Sequence, residues 1–146
     1  MMVGVDLHLK RPSVICIFDG IKAIFLESSE EGRDILDFSP SIVVLDAPLS
    51  LEIPFRKFER ELMRKGFRFL PLSMKSMREL CEKAMKIKEF LEEKGIDVFE
   101  THPGSLSKKI IVDIKEKDRR DAFICAFIGY LYKRGLVERV ERFLYI

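Results

Sequence analysis

The sequence predicts a mixed α/β fold in which a five-stranded sheet, made of a three-strand meander and two parallel strands, is flanked by helices. Three short apolar segments follow one another at the start of the chain, and two of them are separated only by Asp19-Gly20. Two later apolar segments are each preceded by residues with helical periodicity. The chain has 146 residues, 47% of them hydrophobic and 34% charged, which is enough for a buried core without disulfides or a structural metal. A single domain over residues 1–146 is expected.

The meander consists of three predicted strands, at Met2–His8, Ser13–Phe18 and Ile21–Glu27. Short continuous apolar runs of this kind are typical of buried strands. Asp-Gly between two strand-like segments indicates a tight hairpin, because both turn residues must accept positive φ angles. Strands one to three are therefore expected to pair antiparallel.

The rest of the chain alternates helices with two further strands. The strands are predicted at Ile42–Asp46 and Asp97–Thr101, and the helices at Glu30–Phe38, Phe55–Lys65, Ser73–Lys94 and Asp118–Arg134. Right-handed crossovers leave few arrangements for strands that are connected through helices, and the ribonuclease H-like core is the arrangement favoured here. Residues Ser105–Lys117 fit either a short helix or a loop, and Leu136–Phe143 is interpreted as an amphipathic tail.

Charge and hydropathy exclude some classes of protein. Lys and Arg number 26 against 24 Asp and Glu, a balance that neither requires nor excludes a nucleic-acid partner. No apolar run reaches about 20 residues and no signal peptide opens the chain, so a cytoplasmic protein without membrane segments is expected. The three cysteines lack metal-ligand spacing, and the absence of Asn and Gln is typical of hyperthermophilic proteins.

Acidic side chains are predicted to converge at one edge of the sheet. Asp6 interrupts the apolar first strand, where a buried charge costs several kcal/mol unless it is paired. Asp46 ends the fourth strand, so both carboxylates emerge together if strands one and four are parallel neighbours. Asp118 and Asp121 lie three residues apart at the start of the last helix and share one face, although Asp118 also fits a simple N-cap. Such acids repel one another unless a cation lies between them, and all-oxygen ligation suits Mg²⁺ or Mn²⁺ better than Zn²⁺.

The order and spacing of five segments point to a known family. The segments are Gly4-Val5-Asp6, Leu45-Asp46-Ala47-Pro48-Leu49, Phe55-Arg56-Lys57-Phe58-Glu59-Arg60, Phe99-Glu100-Thr101-His102-Pro103 and Asp118-Arg119-Arg120-Asp121-Ala122. Together they resemble the predicted ribonuclease-H-like nucleases filed as domain of unknown function 429, from Val3 to about Tyr132. The Asp-x-x-Asp-Ala opening of the last helix is also similar to that of Holliday-junction resolvases of the same fold.

The resemblance implies a metal-dependent nuclease that hydrolyses phosphodiester bonds of DNA or RNA with two divalent ions. By that likeness Asp6, Asp46 and Asp121 are metal ligands and catalytic residues, with Asp118 as a fourth. Glu100 matches the catalytic acid that the family places on its fifth strand. In the implied scheme Asp6 bridges both ions, Asp46 holds one, and Asp121 with Asp118 holds the other. Junction resolvases of this fold act as dimers, so a homodimer is open for this chain as well.

Histidines and a lysine near the acids are candidates for contact with the substrate. His8 and Lys10 follow Asp6 at alternate positions, where either would contact a phosphate or shuttle a proton. His102 lies two residues after the acid of the fifth strand and is expected to point the same way. Each of these histidines is also consistent with an ordinary hydrogen-bonded or solvated side chain.

The predicted helix Phe55–Lys65 is a candidate contact for the phosphate backbone. It places Arg56 and Arg60 on one basic stripe, which would bind nucleic acid if it borders the acids. A solvated face with local ion pairs explains the same stripe.

Two other functions are consistent with parts of the sequence. One is a nucleotide phosphotransferase of the sugar-kinase and actin superfamily, which shares this core but cradles phosphates with a glycine-rich hairpin after the first strand. Leu7–Arg11 contains no glycine, which weighs against this class. The other is a non-catalytic nucleic-acid-binding module with a degenerate nuclease site, which would have to maintain clustered charges without a cation.

Overall fold

The computed structural model describes all 146 residues, which form seven strands and five helices. The strands are β1 Met2–Asp6, β2 Ser13–Phe18, β3 Ala23–Ser28, β4 Ile42–Leu45, β5 Asp97–Glu100, β6 Glu138–Val140 and β7 Phe143–Tyr145. The helices are α1 Glu31–Leu36, α2 Lys57–Met63, α3 Lys75–Glu93, α4 Pro103–Leu106 and α5 Lys117–Lys133. Every predicted strand and helix is present, with ends that differ from the predicted ones by a residue or two. None of the helices is long and apolar enough to cross a membrane.

One sheet contains all seven strands, in the order β3-β2-β1-β4-β5-β7-β6. The strands β1, β2 and β3 form the predicted antiparallel meander. The strand β4 pairs parallel with both β1 and β5, which confirms that strands one and four are parallel neighbours. This mixed sheet, flanked by helices, has the ribonuclease H-like fold class that the sequence predicts.

The carboxyl-terminal segment does not form the predicted amphipathic tail, because it adds two strands to the sheet. The strand β7 pairs parallel with β5 and antiparallel with β6, so the sheet has seven strands instead of five. Phe143 and Leu144 are buried in an apolar cluster with residues of α5, and this burial holds the hairpin on the sheet. The turn between β2 and β3 is also wider than predicted: it spans residues 19–22, where the Asp19 carboxylate accepts two backbone N–H groups.

Side chains alternate along β1 and so divide the core between two helical layers. Val3 and Val5 pack in one apolar cluster with residues of α1 and α3. Gly4 faces the opposite side, where the backbone of α5 lies against it. Asp6 is two residues further along β1 and therefore shares the α5 face of the sheet.

Gly4 determines how closely α5 approaches the sheet. A Cβ atom here would lie 2.1 Å from the Ala122 carbonyl oxygen and 2.2 Å from the Ala126 nitrogen, and these backbone atoms cannot swing aside. Gly4→Ala is therefore expected to displace α5 and to lower the free energy of unfolding in urea by about 1–3 kcal/mol. The matched control is Gly32→Ala, whose Cβ would lie 3.0 Å from a movable aromatic side chain. Equal losses in the two variants would contradict this account of α5 packing.

Candidate metal centre

Four aspartates meet at the edge of the sheet where β1 and β4 end. Asp6 is the last residue of β1, and Asp46 directly follows β4. Because these strands are parallel neighbours, their carboxyl ends lie at the same edge. Asp118 and Asp121 lie in the first two turns of α5, which packs directly on β1. The convergence of acids that the sequence predicts from three distant segments is present in the structure.

Atoms of these residues come within ligand distance of one another in two groups. One carboxylate oxygen from each of Asp6, Asp46 and Asp121 lies within 4.8 Å of the others. A second group with the same spacing joins Asp6 to His8 and Asp118. Asp6 belongs to both groups, so a single carboxylate connects two sets of candidate ligands.

His8 lies against the acids through its Nε2 atom. This atom is 3.0 Å from Asp6 Oδ2 and 3.9 Å from Asp118 Oδ1. The Nδ1 atom is 3.0 Å from the Pro12 carbonyl oxygen, which can only accept a hydrogen bond, so Nδ1 carries the proton. In the neutral ring Nε2 then presents a lone pair to the acids. A histidine that donates its other ring N–H to a carbonyl has the usual arrangement of a metal ligand, a role that sequence reasoning missed.

Burial and mutual repulsion disfavour the ionised forms of two of the acids. Burial raises the pKa of Asp6 from 3.8 to about 6, and the nearby His8 opposes this shift. Burial together with the charges of Asp6 and Asp121 raises the pKa of Asp46 well above its usual value. Asp46 is partly exposed because it borders a cavity. The negative charges of the neighbouring acids still disfavour its ionised form. Such shifts are typical of a site whose negative charge is only partly compensated within the chain.

Two cationic side chains compensate part of this charge. Arg11 pairs with Asp118 and holds the pKa of that carboxyl below its usual value. Lys117 Nζ lies 3.0 Å from Asp121 Oδ2, and this hydrogen bond raises the pKa of the lysine. Four carboxylates therefore face two permanently charged partners, so a divalent cation would improve the charge balance. The sequence analysis did not identify either partner. The i, i+4 spacing of Lys117 and Asp121 indicates their ion pair. No local pattern indicates the pair of Arg11 with Asp118, which is 107 residues away.

The simple N-cap explanation for Asp118 is wrong. The helix α5 begins at Lys117 and its N-cap residue is Glu116, so Asp118 lies inside the first turn. Its carboxylate is directed at Arg11 and lies close to Asp6 and His8. The acid is therefore part of the cluster and not a local device that starts the helix.

The donor set at this edge fits a divalent cation. Asp6 Oδ2 is buried and has no hydrogen-bond donor, and the His8 Nε2 atom that lies 3.0 Å from it carries a lone pair in the neutral ring. A buried carboxylate oxygen without a partner costs free energy unless a donor or a cation meets it. The carboxylates of Asp6, Asp46 and Asp121 are oxygen ligands of the kind that Mg²⁺ and Mn²⁺ prefer. These residues can therefore hold such an ion.

Glu100 lines the same cavity as Asp46, but its carboxylate is held by other partners. Its Oε1 atom accepts the Leu49 N–H at 3.0 Å and Arg56 Nη1 at 2.5 Å, and its Oε2 atom accepts Arg56 Nη2 at 2.9 Å. Burial raises the pKa of Glu100, and the pair with Arg56 opposes that shift. Both oxygens are occupied by donors, so Glu100 lies in neither ligand group.

The structure also corrects the predicted basic stripe on α2. Arg56 is only 3% exposed, because its guanidinium lies between Glu100 and Glu59, with Nη2 3.1 Å from Glu59 Oε2. The side chain is therefore inside the protein and not on a phosphate-binding surface. Arg60 is exposed on the same helix, and its contact with a phosphate backbone stays a prediction.

Cavities adjoin the acidic edge on two sides. His102 and Asp46 border a cavity of about 170 Å³ whose walls are half apolar. Lys10 and His8 border a more open cavity of about 500 Å³. The two cavities are neighbours, because Leu7, Met77 and Leu80 line both of them.

The fold and the acidic edge define the class of this protein: a ribonuclease H-like α/β domain with a candidate divalent-metal centre. No family model matches the sequence, and no curated protein matches it. Among solved structures, the chain is similar to that of RuvC from Thermus thermophilus, at 9% sequence identity and a TM-score of 0.44. The match covers 92% of this chain and 96% of that chain.

Proposed function

We propose that this protein is a nuclease that hydrolyses phosphodiester bonds of DNA or RNA with Mg²⁺ or Mn²⁺ as its cofactor. One observation carries the proposal: carboxylate oxygens of Asp6, Asp46 and Asp121 lie within 4.8 Å of one another. In structural ion-pair networks each acid faces a base, as Glu100 faces Arg56, whereas Asp46 takes part in no ion pair and lies against Asp6 and Asp121.

The two ligand groups suggest how two ions would be shared. Asp6 contributes to both groups, Asp46 and Asp121 complete one, and His8 with Asp118 completes the other. This division differs from the one that the family resemblance implies, in which Asp118 and Asp121 hold the same ion. It also gives the second group a nitrogen ligand, which suits a transition-metal ion such as Mn²⁺ better than Mg²⁺.

Bound divalent ions in such sites polarise the phosphate, activate a water and stabilise the leaving oxygen. The chain supplies the remaining requirements. The aspartates are held on β1, β4 and α5, which are rigid elements of the sheet and its covering helix. The hydrogen bond between His8 Nδ1 and the Pro12 carbonyl oxygen orients the ring so that Nε2 faces Asp6 and Asp118. Lys10, in the loop after β1, attracts the phosphate backbone towards an otherwise acidic edge.

The direct test is cleavage of short DNA and RNA oligonucleotides, single- and double-stranded, with Mn²⁺ or Mg²⁺. We expect cleavage that stops in EDTA and falls at least about a hundredfold in Asp46→Asn, since even residues that only support a metal ligand are worth roughly 10–100-fold. The matched control is Asp97→Asn, an exposed aspartate at the opposite end of the sheet, which should cleave like the parent. Equal cleavage by Asp46→Asn and the parent would rule out the proposal.

A specific observation favours a second candidate, the non-catalytic nucleic-acid-binding module. The Lys117 ammonium on Asp121 can replace part of the charge of a metal ion. This candidate predicts no cleavage and no rise in melting temperature with Mn²⁺. If the protein is a metal-dependent nuclease, Mn²⁺ should raise its melting temperature by roughly 5–10 °C. An ion at about 100 times its Kd stabilises a protein by about 2.7 kcal/mol.

A further inference from the structure

A polar cavity of about 340 Å³ adjoins the metal centre through a shared residue. His102 borders this cavity and also the smaller one that contains Asp46. The cavity has no hydrophobic side chain in its lining, which consists of Gly66, Arg68, His102, Gly104, Ser105 and Lys108. It also contains no acidic residue, although acids dominate the edge of the sheet beside it.

The two cations of this cavity have no carboxylate partner. Arg68 and Lys108 are exposed, and neither takes part in any ion pair of the structure. Arg11 and Lys117, which lie next to the aspartates, are paired. Two unpaired cations that border one polar cavity give it a positive potential, which attracts anions.

Hydrogen bonds between the lining residues hold the cavity in shape. Ser105 Oγ accepts the Arg68 backbone N–H at 3.2 Å and lies 2.6 Å from His102 Nδ1. The His102 ring also packs on Phe69, with ring centroids 5.3 Å apart. Burial lowers the pKa of His102, so at neutral pH the ring is an uncharged hydrogen-bonding group between the two cavities. The segment after α2 and the short α4 are therefore joined before any ligand arrives, which reduces the entropy cost of binding.

We propose that this cavity, which we call the Arg68 subsite, binds a phosphate of the same nucleic-acid strand that passes through the metal centre. This proposal rests on the proposed nuclease function and adds the path that the substrate strand takes across the protein. A strand with one phosphate at the aspartates has its neighbouring phosphates on either side, where anionic groups need cationic partners. The Arg68 subsite supplies such partners beyond His102, and Lys10 supplies one beyond Leu7. The substrate strand therefore runs from the Lys10 side, past Asp46 and His102, to Arg68 and Lys108.

The test compares Arg68→Ala/Lys108→Ala with a charge-matched control, Lys22→Ala/Lys86→Ala. Lys22 and Lys86 are exposed, take part in no ion pair, and lie in the β2–β3 turn and on α3. Binding of a fluorescent single-stranded oligonucleotide is measured by anisotropy with Ca²⁺, between about 50 and 200 mM salt. We expect the subsite variant to bind about tenfold more weakly and the slope of log affinity against log salt to fall by roughly 1 to 2. The control should bind like the parent.

A series of modified oligonucleotides then locates the phosphate that the subsite binds. One phosphate at a time is replaced by an uncharged methylphosphonate, and one position away from the scissile bond should weaken binding by the parent but not by the subsite variant. Loss of affinity equal to that of the control, or the same response to every methylphosphonate in variant and parent, would overturn the subsite. If the parent cleaves with metal but no methylphosphonate position depends on Arg68 and Lys108, the nuclease proposal holds and the subsite proposal is wrong. If one methylphosphonate position depends on Arg68 and Lys108 but no cleavage occurs, the subsite proposal holds and the nuclease proposal is wrong. Matching melting temperatures confirm that both variants fold.

Discussion

Asp6→Asn is expected to make the metal-free protein more stable at neutral pH while it removes metal binding and cleavage. Burial raises the pKa of Asp6 from 3.8 to about 6, so the folded protein binds this proton more tightly than the unfolded chain does. The stability that the protonated carboxyl contributes is fully present below about pH 4 and is lost as the pH rises through about 6. The loss corresponds to about 3 kcal/mol. Asparagine resembles the neutral carboxyl at every pH and therefore avoids this loss.

The measurement is urea unfolding in EDTA at several values from acidic to neutral pH, for the parent and for Asp6→Asn. The two proteins should have similar free energies of unfolding near pH 4, and the variant should gain up to about 3 kcal/mol at neutral pH, less whatever the contact with His8 contributes. Mn²⁺ at about 1,000 times its Kd should reverse the order at neutral pH, because the ion then stabilises the parent alone by about 4 kcal/mol. Asp97→Asn should follow the parent throughout. A variant that is less stable than the parent in EDTA at neutral pH would contradict the repulsive cluster.

Much of the acidic site could be predicted because its geometry follows from strand order. Asp6 interrupts the first apolar run and Asp46 ends the fourth, and a parallel pairing of those strands puts both acids at one edge. The start of α5 adds Asp118 and Asp121, since the helix returns across the same face of the sheet. Each step uses local pattern and the handedness of crossovers, which a single sequence contains.

The parts that could not be predicted depend on contacts between distant residues. Arg56 is spaced like a residue of an exposed basic stripe, and its burial follows from Glu100, which is 44 residues away. The hairpin of β6 and β7 consists of strands of three residues, joined by Glu141-Arg142 without the Gly or Asn that marks a tight turn. Its place in the sheet is determined by the apolar burial of Phe143, which no local pattern reveals.

Arg56→Met is expected to lower the free energy of unfolding by about 3–5 kcal/mol. The substitution leaves the carboxylates of Glu59 and Glu100 buried without their partner, and removal of one member of a buried ion pair typically has a cost of this size. Urea unfolding at neutral pH measures the loss. The double variant Arg56→Met/Glu100→Gln should recover part of it, because one of the two uncompensated charges is then removed. A loss below about 1 kcal/mol in Arg56→Met, the range of exposed ion pairs, would contradict the buried network.

The same network separates the two possible roles of Glu100, which the family resemblance implies to be catalytic. Both Glu100 oxygens are held by Arg56 and by the Leu49 N–H, so the carboxylate can reach neither ligand group without breaking a buried pair. Glu100→Gln keeps a carbonyl oxygen for these donors and should lower stability by about 1–3 kcal/mol. Its cleavage rate, measured well below its melting temperature, should stay within about tenfold of the parent, whereas Asp46→Asn should lose at least about a hundredfold. Equal losses of cleavage in the two variants would instead make Glu100 part of the catalytic centre, because a purely structural acid affects the rate only through the fraction of protein that is folded.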